Sequence, residues 1–398
     1  MSPLPPKAEP VDEQGAGAAL ASLLEFAAST PADDLVSIVD AVGAILGADT
    51  ARFLVADYAL SSLRYLRSEV EDGYQAMPVM GGTVAGLAFS RGETIVSDDR
   101  VLVPVSENSE RLGVLELVHP AWTEDLETLL EPLVRILVLL LVSKRRYTDA
   151  LLRSRRTEAL SLAAEMQWGL LPPLSCATSR VSVSGILEPA YSIGGDSFDF
   201  ALNVDVAEFA IIDAVGHGMP AVLISTVAIN GLRNARREGH GLEAAYHETG
   251  DAIASQFIRN AFATGQIGSL DLTTGNLSWL NAGHPPPLLL RNGNYLHELT
   301  CRPSLPMGLG GSVAEVSVEH LQAGDRVLFY TDGAIETRSS NGDQFGLPRL
   351  VDFLVRAAHE RAASVETLRA LSAAILAYSD TGLSDDATLV MVEYHGTD

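Results

Sequence analysis

The chain has 398 residues, of which 47% are hydrophobic and 20% charged. This balance is typical of a folded protein, and the length favours two or three domains of about 100–200 residues each. The formal net charge of −24 argues against nucleic acid or an anionic membrane as partners, because so acidic a chain repels phosphate.

Two features indicate the cellular compartment. The two cysteines, Cys176 and Cys301, fit no metal or redox spacing, which favours a reducing environment. The N-terminus lacks the basic-then-apolar order of a signal peptide, and the apolar run Ile136–Val142 is shorter than the roughly 20 residues that span a bilayer. We therefore expect a soluble cytoplasmic protein.

The first part of the chain predicts a tail and a small domain. Residues 1–16 are rich in proline and charge, which predicts a disordered tail. From Ala18 apolar residues recur at helical spacing, and strands precede a strongly apolar helix. The predicted strands are Arg52–Tyr58, Thr94–Ser97, Val101–Val105 and Gly113–Val118, and the helix is Leu126–Val142. This order predicts an α+β sensor domain.

Four short segments of this domain resemble the GAF family of sensor domains. They are residues 84–88, 92–96, 102–105 and 112–117. The resemblance implies a GAF-like α/β domain over residues 17–142, which either binds an unidentified small ligand or serves only as a dimerisation scaffold. The region contains no cysteine, which argues against a thioether-linked bilin.

Residues 143–172 are predicted to form a linker helix, because they contain no proline before Pro172 and are dense in Leu, Ala, Arg and Glu. Four residues fall at a/d-type spacing and would allow a short coiled-coil seam between two chains: Ala159, Ala163, Met166 and Leu170. The alternative is a helix packed on its own domain.

The C-terminal region, residues 173–398, predicts short strands alternating with turns, together with four helices. The strands are placed near Val181–Leu187, Glu208–Ile212, Gly265–Asp271, Leu277–Asn281, Pro287–Leu290, Val313–Val318, Arg326–Tyr330 and Thr388–Tyr394. The helices are Met219–Arg237, Leu242–Arg259, Leu347–His359 and Ser364–Ser379. Antiparallel sheet with helices on its faces predicts an α+β sandwich.

Four acidic motifs lie at or near the ends of these strands. They are Gly194–Asp199 with Asp196, Ile211–Gly218 with Asp213, Phe329–Gly333 with Asp332, and Ser384–Thr388 with Asp385 and Asp386. One Asp-Gly alone is usually a turn, but the set predicts carboxylates gathered at one edge of the fold. Carboxylates without His or Cys suit Mg²⁺ or Mn²⁺. Two such ions about 3.5–4 Å apart can hold a hydroxide and clamp a phosphate for in-line attack.

Together with three further motifs, this set resembles the SpoIIE branch of the PPM-type, metal-dependent serine/threonine phosphatases, from about Glu165 to Tyr394. The further motifs are Leu170–Pro173, Asn281–Pro287 and Pro306–Gly308. The resemblance implies a C-terminal PPM-type β-sandwich flanked by helices. It also implies two metal ions, Mn²⁺ or Mg²⁺. Their ligands would be Asp196, Asp213, Asp332 and Asp385, with Asp213 as the bridge, and the main-chain carbonyl of Ala214.

Four further residues are candidates for supporting roles. Asp386 and Asp199 can orient a bound water or simply cap a neighbouring turn. His217 and His284 can donate a proton to the leaving hydroxyl, or they can merely hydrogen-bond the Gly/Pro turns in which they lie.

The resemblance implies a phosphatase that removes phosphate from serine or threonine of a partner protein. In that family the partner is typically a STAS-domain anti-sigma-factor antagonist. The GAF-like domain would sense a signal, the linker helix would transmit it, and the chain would act as a homodimer. Two alternatives remain: a catalytically silent binding module that relays ligand state, and a metal-dependent hydrolase of small phosphate esters.

Overall fold

The structure is a computed structural model. It describes residues 13–67, 77–78, 82–118, 124–188, 194–257, 260–310, 313–379, 383 and 385–397. The chain divides into two compact units, Met1–Ala159 and Leu160–Asp398. Within the described ranges, no helix is long and apolar enough to cross a bilayer. The predicted tail up to residue 12, the end of the helix predicted to Arg259, and Ser384 lie outside these ranges.

The first unit is built on a six-stranded antiparallel sheet with strand order β3-β2-β1-β6-β5-β4. The strands are β1 Thr50–Ala56, β2 Ser62–Tyr65, β3 Met77–Pro78, β4 Ile95–Ser97, β5 Arg100–Glu107 and β6 Glu110–Val118. The helices are α1 Glu13–Ser29, α2 Leu35–Ile45, α3 Val84–Arg91, α4 Glu124–Lys144 and α5 Ala150–Ser154.

Strand alternation divides the side chains of this sheet between two cores. Phe53 packs into the core formed with α1, α2, α4 and α5, whereas the next residue, Leu54, packs against α3. The helix–sheet–helix order predicted from the sequence is present, although β2, β3 and α3 were not predicted. Helix α1 begins at Glu13, inside the segment predicted to be a disordered tail. Membership of the GAF family stays a prediction.

The second unit contains two antiparallel sheets, ordered β15-β12-β11-β10-β9 and β14-β13-β16-β17-β8-β7. The strands are β7 Ser175–Ala177, β8 Val181–Glu188, β9 Asp196–Leu202, β10 Val206–Ala214, β11 Ala263–Asp271, β12 Asn276–Ala282, β13 Leu288–Arg291, β14 Asn294–Glu298, β15 Ser317–His320, β16 Arg326–Tyr330 and β17 Ala387–Tyr394. The helices are α6 Leu162–Leu170, α7 Met219–Arg237, α8 Leu242–Gln256, α9 Gly333–Glu336, α10 Gly346–His359 and α11 Ser364–Tyr378.

The two sheets pack face to face, with helices on their outer sides. Helices α7 and α8 cover the first sheet, and α10 and α11 cover the second. Between the sheets the rings of Phe209 and Phe329 lie 4.9 Å apart. Gly185 leaves room there for Phe198, since a Cβ at residue 185 would lie 2.4 Å from the ring. The predicted α+β sandwich is therefore present.

The predicted linker helix is wrong. The chain between residues 143 and 172 forms the end of α4, then α5 and α6, with non-helical residues at 145–149 and 155–161. Polar side chains compete for the backbone at these breaks. The Thr148 hydroxyl accepts from the N–H of Ala150 at 3.1 Å, and Ser161 caps α6 by accepting from Ala164 at 3.2 Å.

The predicted seam on this helix fails for the same reason. Ala159 lies outside any helix, whereas Ala163 and Leu170 are buried in the second unit. Helix α6 therefore packs on its own unit, as the alternative interpretation expected.

The remaining boundaries differ from prediction in a few places. The helix Met219–Arg237 and the strand Arg326–Tyr330 have the predicted ends, whereas the strand predicted at Val313–Val318 lies at Ser317–His320. Strands β7, β9 and β14 were not predicted. In β9 the buried Asp196 and Asp199 interrupt the apolar pattern that identifies a strand.

Candidate metal centre

Strand register brings two of the predicted ligands together in the first sheet. Asp196 is the first residue of β9 and lies opposite Asp213 on β10. Asp213 in turn lies opposite Thr264 on β11. Because directly paired residues point to the same side of a sheet, the three side chains form a row across one edge.

The second sheet brings its acidic residues to the same edge. Strand β16 ends at Tyr330 and is followed by Thr331 and Asp332, while Asp385 and Asp386 precede β17. The Thr331 N–H donates to the Thr388 carbonyl at 3.0 Å, which holds the two strand ends side by side. Asp332 and Asp385 are exposed at the mouth of the site, whereas Asp196 and Asp386 are buried.

Two threonine hydroxyls of the second sheet bind the Asp196 carboxylate across the sandwich. Oδ2 of Asp196 accepts from Thr331 at 2.8 Å and from Thr388 at 2.7 Å. The Asp196 N–H donates to Asp386 at 3.3 Å. Sequence reasoning missed both threonines, although Thr331 immediately precedes Asp332 and Thr388 closely follows Asp386.

The assembled carboxylates destabilise one another's charged forms. Burial, followed by repulsion from Asp332, Asp385 and Asp386, raises the pKa of Asp213 to about 7. Burial and repulsion from Asp385 raise the pKa of Asp386 to about 7. Burial and the charges of Asp213 and Asp386 raise the pKa of Asp196 well above its usual range. A bound cation would remove this repulsion.

Glycines keep the space around these carboxylates open. A Cβ at Gly194 would lie 1.5 Å from the Asp386 carboxylate, and one at Gly333 would lie 1.9 Å from the Asp386 carbonyl. Ala214 is buried, and its carbonyl lies 2.4 Å from where a Gly195 Cβ would stand. The atoms that could bind a cation here are all carboxylate or carbonyl oxygens, which fits Mn²⁺ or Mg²⁺.

A short chain of contacts links Asp213 to Thr264 and His284. The Thr264 hydroxyl donates to Asp213 over 3.5 Å and contacts Nδ1 of His284 at 3.2 Å. Burial lowers the pKa of His284 to about 4, so the imidazole is neutral. Asn281 holds this loop by bonding the main chain of His284 in both directions, at 2.7 Å each.

Two further candidates have different surroundings. Asp199 is buried, and it accepts from Arg233 at 2.7 Å and from Arg236 at 2.9 Å on α7. Being an odd number of residues from Asp196 along β9, it faces the opposite side of the sheet, and we assign it no part in the site. His217 is exposed in the turn before α7.

Comparisons with known proteins identify a family and several relatives to which this chain is similar. Residues 205–395 match the family model described as stage II sporulation protein E (SpoIIE). Protein IcfG of Synechocystis sp. is 26% identical over 263 residues, which are 58% of this chain and 41% of IcfG. The chain thus spans less than half of that relative.

Two further relatives match more of their own length. Phosphoserine phosphatase RsbU of Bacillus subtilis is 21% identical over 284 residues, 70% of this chain and 83% of RsbU. The SiaA-PP2C domain of Pseudomonas aeruginosa is 20% identical in sequence, with a TM-score of 0.49 over 58% of this chain and 94% of that domain.

A two-sheet sandwich flanked by helices, with this set of carboxylates at one edge, is the arrangement that the sequence predicted from its resemblance to the PPM-type phosphatases. More narrowly, residues 205–395, just under half of the chain, are similar to the SpoIIE family.

Proposed function

We propose that this protein is a metal-dependent protein phosphatase that hydrolyses phosphoserine or phosphothreonine in a partner protein. The observation that carries the proposal is the convergence of Asp196, Asp213, Asp332 and Asp385 at one edge of the sandwich, with the pKa of Asp213 raised to about 7 by burial and by its acidic neighbours. Repelling carboxylates in a partly buried cluster are characteristic of a cation site.

Each ligand has a distinct role in this proposal. Asp213 would bridge two Mn²⁺ or Mg²⁺ ions, and Asp196, Asp332, Asp385 and the Ala214 carbonyl would complete their coordination. When bound, such a pair of ions activates water and neutralises the phosphoryl group. The chain itself orients the ligands: Thr331 and Thr388 fix Asp196, and Thr264 fixes Asp213.

The exposed side of the site favours a protein substrate. Asp332 and Asp385 are open to solvent, so a phosphorylated side chain on a folded surface can reach them. The name of RsbU as a phosphoserine phosphatase supports phosphoserine as the substrate group, and the resemblance to SpoIIE phosphatases implies a phosphorylated STAS-domain anti-sigma-factor antagonist as the partner. His217 is exposed in the turn that follows β10, four residues after Asp213, and is the candidate proton donor for the leaving hydroxyl.

We further propose that the first unit is a GAF-like sensor and that the chain is a homodimer. Because the linker consists of separate helices, the regulation that we propose does not depend on one continuous helix. Sedimentation equilibrium measures the oligomeric state directly.

A sensor role predicts that Gly113→Ala changes turnover although it touches no proposed metal ligand. A Cβ at residue 113 would lie 1.9 Å from the Leu54 carbonyl inside the first sheet.

The test uses the full chain and three substrates: a phosphorylated STAS-domain protein, a phosphoserine peptide and an aryl phosphate. Turnover of the phosphoprotein with Mn²⁺, abolished by chelator, is the expected result. Turnover of small esters only would favour the small-ester hydrolase. No turnover of any substrate at saturating Mn²⁺ would favour the silent binding module.

A further inference from the structure

A small cavity lies at the end of the second sheet that is opposite to the candidate metal centre. Arg326, the first residue of β16, lines this cavity and is paired with Glu393 near the end of β17. Asp332 and Asp385 lie beyond the other ends of these two strands. From Ala387 to Glu393 an extended strand rises about 20 Å, so the cavity is distinct from the metal centre.

The cavity has a volume of about 170 Å³, and its charged lining consists of Arg326, Arg361 and Glu393. Ala358 of α10 and Gly324 form other parts of the wall. Ala358 contributes only a methyl group, and there is open space where a Cβ of Gly324 would stand. Small residues therefore keep the space beside the two arginines open, and Arg361 is exposed, so a small molecule can reach it from solvent.

One nitrogen of the Arg326 guanidinium lacks an acceptor. The side chain is 14% exposed, and its Nη2 donates to Glu393 at 3.2 Å. Its Nη1 is buried and has no hydrogen-bond partner among the residues that the structure describes. The other oxygen of Glu393 accepts from the Ser364 hydroxyl. A buried donor of a charged group is costly when it has no acceptor, and an acceptor bound in the cavity would satisfy it.

The carboxylates around the cavity do not balance its arginines. Asp325, which precedes Arg326, is held by three contacts of 2.6–3.0 Å from Arg291. Within the described part of the chain, the Arg361 side chain has no hydrogen bond or ion pair. Arg326 and Arg361 thus face one carboxylate, Glu393, and leave a positive charge in a chain whose net charge is −24.

We propose that this cavity is a binding site for a small oxyanion, namely the carboxylate or phosphoryl group of a small molecule, held by Arg326 and Arg361. An oxyanion supplies the acceptors that a guanidinium pairs with best. A neutral ligand would satisfy Nη1 and leave the charge, and a cation would be repelled by the two arginines. The inference goes beyond the proposed function, because the site contains neither a proposed metal ligand nor the reacting phosphoserine.

Three substitutions test the site in different ways. Arg326→Lys keeps the charge beside Glu393 but loses the forked donors. Arg361→Asn removes the second charge and suits a position with a φ of 56°, which Asn tolerates better than most residues. We expect each to weaken anion binding about 10-fold or more, the effect of losing a hydrogen bond to a charged group. Ala358→Leu keeps both arginines, fills the cavity and is expected to abolish binding.

The matched control is Arg356→Ala. Arg356 is an exposed arginine of the same helix, α10, and does not line the cavity. Its loss changes the net charge as Arg361→Asn does and is expected to leave anion binding unchanged.

The experiment is calorimetric titration of the full chain and the four variants with sodium phosphate and, separately, sodium acetate, at constant ionic strength in excess chelator. The chelator removes divalent cations, so phosphate has no cation to bind at the carboxylate edge and the result does not depend on the proposed function. Circular dichroism checks that each variant folds. If Arg326→Lys does not fold, Arg361→Asn and Ala358→Leu decide the question.

Binding that is weakened in the three cavity variants and kept in Arg356→Ala is the expected result. Tighter binding of phosphate then assigns the ligand a phosphoryl group, and tighter binding of acetate assigns it a carboxylate. No binding of either anion by the folded wild-type chain would overturn the inference and leave ordered water as the partner of Nη1. Unchanged binding in the cavity variants, or equal weakening in Arg356→Ala, would also overturn it.

Discussion

At the scale of single residues, Asp196 illustrates how a proposed ligand is oriented. Its Oδ2 accepts from Thr331 and Thr388, which leaves Oδ1 free to face a cation. Replacing Thr388 with Val removes one of these bonds and conserves shape. We expect Thr388→Val to weaken Mn²⁺ affinity about 10–100-fold, as measured by calorimetric titration. Thr388→Ser, which keeps the hydroxyl, is the control, and equal effects of the two variants would contradict this role.

Asp213 is expected to be the least replaceable carboxylate, because loss of a bridging ligand weakens both ions at once. Asp213→Ala should lower turnover by more than about 100-fold, beyond the effect of losing an outer partner, and should leave the circular dichroism spectrum unchanged. His217→Ala is expected to cost less, because His217 is exposed and is not among the proposed ligands. Near-normal turnover by Asp213→Ala at saturating Mn²⁺ would show that the assignment of the bridge is wrong.

Sequence reasoning identified the carboxylates that the fold brings together, but not the side chains that hold them. Acidic residues beside glycines at strand ends mark a site, because a buried carboxylate cluster needs a compensating charge. Thr331 and Thr388 are not identified by any such pattern. Their roles depend on contacts between residues far apart in sequence, such as Thr388 and Asp196, which no local pattern shows.

At the scale of elements, the buried ion pairs of Asp199 join β9 to α7. Asp199→Ala leaves Arg233 and Arg236 without their carboxylate, and breaking a buried pair typically costs about 3–5 kcal/mol. Both arginines are partly exposed, so we expect a loss of about 3 kcal/mol in the free energy of unfolding, measured with urea. The control is Asp205→Ala, which breaks the exposed pair with Arg180 and should cost less than about 1 kcal/mol. Similar losses in the two variants would argue against a structural role for Asp199.

The elements were predicted best where apolar periodicity is strong. Helix Met219–Arg237 and strand Arg326–Tyr330 were predicted with the correct ends, because one face of each is continuously apolar. The prediction of one linker helix was wrong because helix propensity is a weak guide to where a helix ends. The capping bond of Ser161 starts a new helix where composition alone indicated a single continuous helix.

At the scale of the whole molecule, the carboxylate cluster makes stability depend on pH and cation together. The pKa values of Asp213 and Asp386 are raised from 3.8 to about 7. Between these values the folded state binds more protons than the unfolded state. The contribution of these groups to the free energy of unfolding therefore falls as pH rises from about 4 to about 7.

Cation binding should reverse this loss, because the cation competes with protons for the same oxygens. We expect Mn²⁺ to raise the melting temperature more at pH 7.5 than at pH 5.5, as followed by differential scanning calorimetry. Asp213→Asn should reduce the difference between the two pH values. Equal increments at both pH values in the wild-type protein would contradict a carboxylate cation site.

The central claim is that this edge of the sandwich catalyses phosphate ester hydrolysis only with a divalent cation. The most direct test is the rate of phosphate release from a phosphoserine protein by the full chain, measured over a series of free Mn²⁺ concentrations buffered with chelator. The account predicts no release without cation, a rate that saturates with Mn²⁺, and loss of that rate in Asp213→Ala. Full turnover in excess chelator, or equal turnover by Asp213→Ala, would contradict it.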